Sequence, residues 1–93
     1  MLLAMRPQPD YGEVDSCPEW LNFSDPAALE TIFRGFYAAG CDAVDACTFG
    51  ANEVVLAEFG LAERTREINR VAAQLIGHVR DEFSTPEWPR YSF

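Results

Sequence analysis

The sequence predicts an α/β fold in which helices alternate with parallel strands. Three observations predict it: an amphipathic helix pattern that ends at Gly40, a β-rich run over residues 42–49, and a longer amphipathic pattern that ends before Pro86. With residues 90–93 starting a second strand, the order is helix, strand, helix, strand, which requires parallel pairing. Two strands cannot cover two amphipathic helices, so we expect exposed apolar surface and a chain that is part of a larger fold.

Residues 1–22 are predicted to be an irregular leader, because prolines and a glycine interrupt them and neither a helical nor a strand period is present. The first helix follows, with Asp25 as N-cap and Pro26 at the first helical position. Gly40 is predicted to end it in the left-handed conformation. The apolar stripe of this helix contains Leu29, Ile32, Phe33, Phe36 and Tyr37.

Residues 42–49 are small, β-branched or aromatic, and they predict a strand buried on both faces, with Asp45 as the exception. A carboxylate in such a strand needs a partner or a ligand, so Asp45 is either a site residue or an acid satisfied by backbone donors or an arginine. Strand alternation allows two phases. We favour the one that turns Asp45, Cys47 and Phe49 toward the site, and the other turns Thr48 there.

After Asn52 the pattern predicts a short helical turn that ends in a Schellman-type motif at Gly60, then a longer helix from about Ala62 to Phe83. The apolar residues of the longer helix recur at helical spacing and predict its buried stripe. These residues are Ile68, Val71, Ala72, Leu75, Ile76 and Val79.

Charge and cysteine content exclude several classes of function. Fifteen acidic residues against seven arginines give a formal net charge of −8, which disfavours nucleic acid or an anionic membrane as partner. No apolar run is long enough to span a membrane, and three cysteines without a secretory signal predict free thiols in the cytoplasm. Cys41 and Cys47 lie about 20 Å apart along an extended strand at ~3.3 Å per residue. We therefore assign no metal site, no catalytic set and no redox pair.

A resemblance to a known family rests on four linked segments. Residues 36–52, which read Phe-Tyr-Ala-Ala-Gly-Cys-Asp-Ala-Val-Asp-Ala-Cys-Thr-Phe-Gly-Ala-Asn, resemble the second α/β unit of the homocysteine S-methyltransferases. Residues 56–61, 66–70 and 89–91 are similar to the homocysteine-binding module of its cobalamin-dependent members. The family pattern Glu-Thr-Asn-Thr-Phe-Gly is matched here by a carboxylate at Asp45 and by Thr-Phe-Gly at residues 48–50.

The resemblance implies that residues 23–93 are a partial homocysteine-binding unit, an N-terminal fragment of a (β/α)8 TIM barrel. In that family zinc held by three cysteines activates homocysteine as a thiolate, and the methyl donor is a methylated corrinoid (cobalamin) or a methylated small molecule. The substrate-binding residues it implies are Asp45, Thr48, Phe49 and Asn52. The zinc-binding cysteines and the first-strand motif of the family are not recognisable, so we expect no cofactor in this chain and no activity from it alone.

A second interpretation belongs to another class of function. The chain could be a small acidic interaction module without enzymatic activity. In that case its leftover apolar faces, with Trp88, Tyr91 and Phe93 at the end of the sequence, would dock on a partner or a second copy of the chain.

Overall fold

The computed structural model describes residues 8–12 and 17–93. Within these residues the chain forms four α-helices and two short strands, and a 3-10 turn at Pro18–Trp20 leads into the first helix. The elements are α1 (Leu21–Ser24), α2 (Pro26–Ala38), β1 (Ala43–Val44), α3 (Glu53–Ala57), a second 3-10 turn (Ala62–Arg64), α4 (Thr65–Phe83) and β2 (Tyr91–Ser92).

Helix α2 begins as predicted. The Asp25 side chain accepts a hydrogen bond from the backbone N–H of Ala28 at 3.3 Å, and Pro26 occupies the first helical position. The predicted stripe is buried except for Phe36, which is 39% exposed. Phe36 therefore lies at the edge of the helix face that packs on the core.

Two glycines end helices with the same Schellman geometry. At Gly60, with φ of +73°, the N–H of Leu61 donates to the carbonyl of Leu56 at 2.9 Å and the N–H of Gly60 donates to Ala57 at 3.1 Å. The same pair of bonds closes α2 around Gly40, where φ is +106°. Both predicted helix ends are confirmed, because a left-handed residue is needed there and glycine adopts it without strain.

The two strands pair in parallel, with Ala43 opposite Tyr91 and Val44 opposite Ser92. Parallel pairing is confirmed, but the prediction of a strand over residues 42–49 buried on both faces is wrong. The strand has two residues, and Ala43 is exposed while Val44 is buried. The chain leaves the sheet after Ala46, which makes the last bond to the second strand, from its N–H to the carbonyl of Phe93 at 2.6 Å.

The main core lies between α2, α4 and β1. Its buried members come from one stripe of α2, one stripe of α4, the inward side of the strand and Leu21 of α1. They are Leu21, Leu29, Ile32, Phe33, Tyr37, Val44, Ile76 and Val79. Helix α4 ends at Phe83, as predicted. A second, smaller cluster joins the first 3-10 turn to α3 and α4 through Cys17, Ala51, Leu56, Leu61 and Ile68.

Polar contacts tie β2 to the end of α2. The Tyr37 hydroxyl donates to the carbonyl of Tyr91 at 2.6 Å. The buried Arg90 guanidinium donates to the carbonyls of Tyr37 at 2.9 Å and Cys41 at 3.1 Å, and it stacks 3.3 Å from the centre of the Trp88 ring. A cation at the C-terminus of a helix satisfies its last carbonyls and complements its dipole.

The predicted leader is more ordered than expected near its end. Residues 1–7 and 13–16 lie outside the described residues, but Cys17, Glu19, Leu21 and Asn22 are buried and helical turns begin at Pro18. The prediction of irregular chain through residue 22 is therefore wrong for these last residues, because contacts with distant parts of the chain hold them. Over residues 8–12 and 17–93, none of the helices has the length and apolar character needed to cross a membrane.

Candidate functional site

The candidate site lies beyond the carboxyl ends of the two parallel strands, where α/β proteins place their ligands. It is formed by the loop of residues 46–52, called here the β1–α3 loop, and by the end of β2. Two turns shape this loop: the N–H of Thr48 donates to Ala46 at 3.0 Å, and the N–H of Ala51 donates to Thr48 at 3.0 Å. Asn52 then caps α3 by accepting the N–H of Val55 at 3.0 Å.

A cleft of about 210 Å³ opens beside this loop. Thr48 and Asn69 are among its polar residues. Asn69 is held in place, since its side-chain nitrogen donates to the carbonyls of Ala51 and Thr65, both at 2.8 Å. The residues that line the cleft are Ala46, Thr48, Asn69, Ala73, Ile76, Ser92 and Phe93.

The β1–α3 loop is also held by the first 3-10 turn. The Glu19 side chain accepts the N–H of Gly50 through Oε1 at 2.8 Å. Asn22 donates through Nδ2 to the carbonyl of Cys47 at 3.2 Å and to that of Glu19 at 2.9 Å. The Cys47 thiol donates to the carbonyl of Pro18 at 3.4 Å. Side chains from residues 17–22 thus fix the loop on both sides of Thr48 and Phe49.

Two thiols lie in this region, and both are held protonated at neutral pH. Burial raises the pKa of Cys17, and the Glu19 carboxylate, whose Oε2 lies 3.9 Å from the thiol, raises it further. Burial first, and the nearby Glu19 charge second, raises the pKa of Cys47 to about 11. The Cys17 thiol lies against the Glu19 carboxylate, and the Cys47 thiol donates to the carbonyl of Pro18. Across the described ranges, no three His, Cys, Asp or Glu side chains are grouped so that they could hold a metal ion.

The predicted site residues do not all lie together. Asp45 is exposed rather than buried in an apolar strand, because only the Val44 side of the strand packs on the core and the side that carries Ala43 and Asp45 is uncovered. It lines a separate groove of about 320 Å³ with Phe36, Cys41, Ala43 and Val44. Phe49 is fully exposed and Asn52 is exposed at the start of α3. Among the four residues, Thr48 alone lines the cleft, and the binding role of all four stays a prediction.

The structure puts Val44 and Ala46 on the core side of β1 and Asp45 on the exposed side, as in the phase we favoured, but Cys47 also packs against the core, and Thr48 rather than Asp45 lines the cleft. Val44 is buried in the core with residues of α2 and α4, and Ala46 packs against the same cluster. Asp45 points to the opposite, exposed side and is not covered by either helix stripe.

Three residues of this region were missed by the sequence reasoning: Glu19, Asn22 and Asn69. A signal for the first two was present. Pro18 followed by an acidic residue is typical of the first turn of a helix. In the sequence prediction, the prolines of this segment count only as interruptions of regular secondary structure. Asn69 gave no signal, because an asparagine on the flank of an amphipathic helix is usually solvated.

Comparison with known proteins gives the family. The profile of the family described as homocysteine S-methyltransferase matches residues 2–92. The chain is 37% identical over 82 residues to the methionine synthase of Mycobacterium tuberculosis (strain ATCC 25618 / H37Rv) and 35% identical over 82 residues to that of Mycobacterium leprae (strain TN). In each case the match covers 88% of this chain and 7% of the relative.

A parallel strand pair with helical connections, a polar loop at the strand ends and this match together define the class. The chain belongs to the homocysteine S-methyltransferase family. It spans only a small part of the length of these relatives, and the match begins within the segment that we expected to be an irregular leader.

Proposed function

We propose that the chain forms part of the homocysteine-binding wall of a methyltransferase that converts homocysteine to methionine. The observation that carries the proposal is the Thr-Phe-Gly loop of residues 48–50, held at the carboxyl end of β1 in a chain of this family. In this proposal the fold continues as a (β/α)8 barrel, in which β1 is the second strand and its exposed face points to the barrel interior. Cytoplasmic location belongs to the same proposal.

The roles of the residues follow from their positions. The Asp45 carboxylate, on the exposed side of β1, would pair with the ammonium group of the amino-acid substrate. The Thr48 hydroxyl and the exposed face of the Phe49 ring would contact the rest of the substrate, and Asn52 would bound the loop while it caps α3. The net charge of −8 repels anionic small molecules, which therefore compete poorly for binding at this surface.

The described residues of this chain offer no ligand set that fits the family's zinc. When bound, zinc lowers the pKa of the homocysteine thiol and supplies a nucleophile at neutral pH. Across the part of the chain that the structure describes, no cysteine is grouped with other His, Cys, Asp or Glu side chains in a set that could hold a metal ion, so no step is assigned to zinc here. In the proposal, zinc ligands and the methyl donor, including any cobalamin, belong to other parts of such an enzyme, and this chain binds and orients the substrate.

The proposal is tested by titrating the isotope-labelled chain with homocysteine and recording amide shifts. We expect changes confined to residues 45–52, and smaller changes with homoserine, which lacks the thiol. Absence of any change in this loop, or equal changes along α2, would contradict the proposal.

A methyl-transfer assay tests the separate expectation of inactivity. With homocysteine and methylcobalamin, we expect the chain alone to form no more methionine than a sample without protein. Methionine above that background would show that the chain carries its own catalytic set.

The second candidate, an interaction module, is favoured by one observation. Aromatic side chains remain exposed around β2: Phe93 at 76%, Tyr91 at 53% and Trp88 at 44%. Exposed apolar surface of this kind commonly marks a contact with another chain.

A further inference from the structure

Glu19 is a buried acid whose carboxylate accepts a hydrogen bond from a backbone N–H group. Its side chain is 8% exposed, and Oε1 accepts the N–H of Gly50 at 2.8 Å. None of the ion pairs found among residues 8–12 and 17–93 includes it. A carboxylate that is removed from water without a cation needs strong donors, so its bond to Gly50 is the main compensation that the described contacts offer.

Gly50 lies so close to this carboxylate that a side chain at this position would contact it. A Cβ added at Gly50 would lie 2.6 Å from Glu19 Oε1 and 3.1 Å from Val55 Cγ1. The backbone of Gly50 is not in the left-handed region, where the positive-φ glycines are Gly12, Gly40 and Gly60. A side chain at this position would force the Glu19 carboxylate to shift, so any preference for glycine here comes from the close approach of Glu19 and not from its backbone angles.

The contact acts on the part of the loop that faces the substrate. Asn22 holds the carbonyl of Cys47 and Glu19 holds the N–H of Gly50, so Thr48 and Phe49 lie between two fixed points. We propose that Glu19 is a positioning residue that holds Thr48 and Phe49 in place for substrate binding. The effect of Glu19 on substrate binding rests on the proposed function, but the Glu19–Gly50 contact can be tested independently of that function.

Hydrogen exchange of the Gly50 amide gives the first test. Glu19→Ala is expected to speed this exchange by about tenfold to a hundredfold, the cost of losing a buried acceptor, while the amide of Phe33 in α2 keeps its rate. Glu19→Gln keeps an acceptor oxygen and is expected to restore most of the protection. Glu63→Ala, which removes an exposed carboxylate, serves as the matched control. Unchanged exchange at Gly50, or equal acceleration at Gly50 and Phe33, would overturn the proposal.

A double-mutant cycle gives the second test and covers the case in which Glu19→Ala does not fold. Gly50→Ala is introduced alone and together with Glu19→Asp, whose shorter side chain withdraws the carboxylate. We expect Gly50→Ala to lower the folding equilibrium constant by about tenfold or more alone, and by clearly less beside Glu19→Asp. An equal loss in both backgrounds would show that Gly50 does not depend on Glu19.

The homocysteine titration separates this inference from the proposed function. We expect the substrate-induced shift of Thr48 to weaken at least severalfold in Glu19→Ala and to recover in Glu19→Gln. If the unmodified chain shows no homocysteine shifts at all, the proposed function fails, and the exchange and cycle experiments still decide whether Glu19 positions the loop. Full substrate shifts in Glu19→Ala would overturn the positioning role.

Discussion

Cys17, Glu19 and Cys47 form a small cluster in which burial and the Glu19 charge favour neutral thiols. Burial disfavours the thiolates, and the Glu19 carboxylate adds a like charge to the cost of ionising either one. These cysteines therefore act as apolar packing groups whose thiols are weak hydrogen-bond donors. The sequence predicted no metal or redox role for Cys47, whereas the causes of its raised pKa, burial first and then the Glu19 carboxylate from the supposed leader, could not be predicted.

This cluster predicts a loss of stability at alkaline pH. The pKa of Cys47 is raised from 9.0 to about 11 in the folded chain, so its contribution is fully present below about pH 9 and is lost as pH rises toward 11. We expect the free energy of unfolding to fall by on the order of 1–2 kcal/mol across this range, after discounting for partial exposure. Urea titrations at a series of pH values measure it.

The control is Cys47→Ala, which should flatten this pH dependence, compared with Cys41→Ala, which removes a thiol outside the cluster. An equally steep fall in Cys47→Ala would show that other groups cause the alkaline loss.

Asp45 shows the limit of residue-level prediction. Its carboxylate was expected to be buried because its neighbours in the sequence are apolar and small. Burial depends on what covers each face of the sheet, and the face that carries Ala43 and Asp45 is exposed. Thr48, one of the four predicted binding residues, lines the cleft, but the distances between the members of the site depend on contacts with Glu19, Asn22 and Asn69 that no local pattern encodes.

At the scale of elements, local signals were sufficient for the helices and insufficient for the strands. Caps, proline at the first helical position and left-handed glycines act within a few residues, and the predicted ends of α2 and α3 agree with the structure. Strand length is set by a partner that lies far along the chain. The run of residues 42–49 therefore predicted a long strand where only Ala43 and Val44 form one.

Two glycines in open surroundings give a prediction about backbone conformation. An added Cβ at Gly35 or at Gly60 meets nothing within 4 Å, but Gly60 has φ of +73°. Gly35→Ala is expected to raise the free energy of unfolding by about 0.5–1 kcal/mol, because alanine favours the interior of α2. Gly60→Ala is expected to lower it by roughly 1–2 kcal/mol, because the left-handed conformation strains alanine.

Urea denaturation of the two variants side by side measures the difference. Since both sites offer space, packing cannot explain opposite signs. If both variants change stability in the same direction, the conformational argument for Gly60 is wrong.

At the scale of the whole molecule, a strongly acidic chain carries exposed aromatic residues around β2. The charge of −8 opposes contact between two copies, and the apolar surface favours it. We expect the chain to associate more strongly when about 0.5 M salt screens the repulsion. Light scattering coupled to size exclusion at low and high salt, at two protein concentrations, measures the mass.

The matched variants are Phe93→Ser, which removes an exposed aromatic ring, and Val54→Ser, which removes an exposed apolar residue of α3. We expect Phe93→Ser to reduce association and Val54→Ser to leave it unchanged. A monomer under all conditions would contradict self-association through this surface.

The parallel pairing of β1 with β2 has a consequence for the order of events during folding. The paired residues are separated by the whole of α3 and α4, so closing this long loop reduces chain entropy before the few sheet bonds compensate for it. Helices α2 and α4 can form and begin to pack earlier. During synthesis the β1 edge that receives β2 stays unpaired until Tyr91 and Ser92 have left the ribosome.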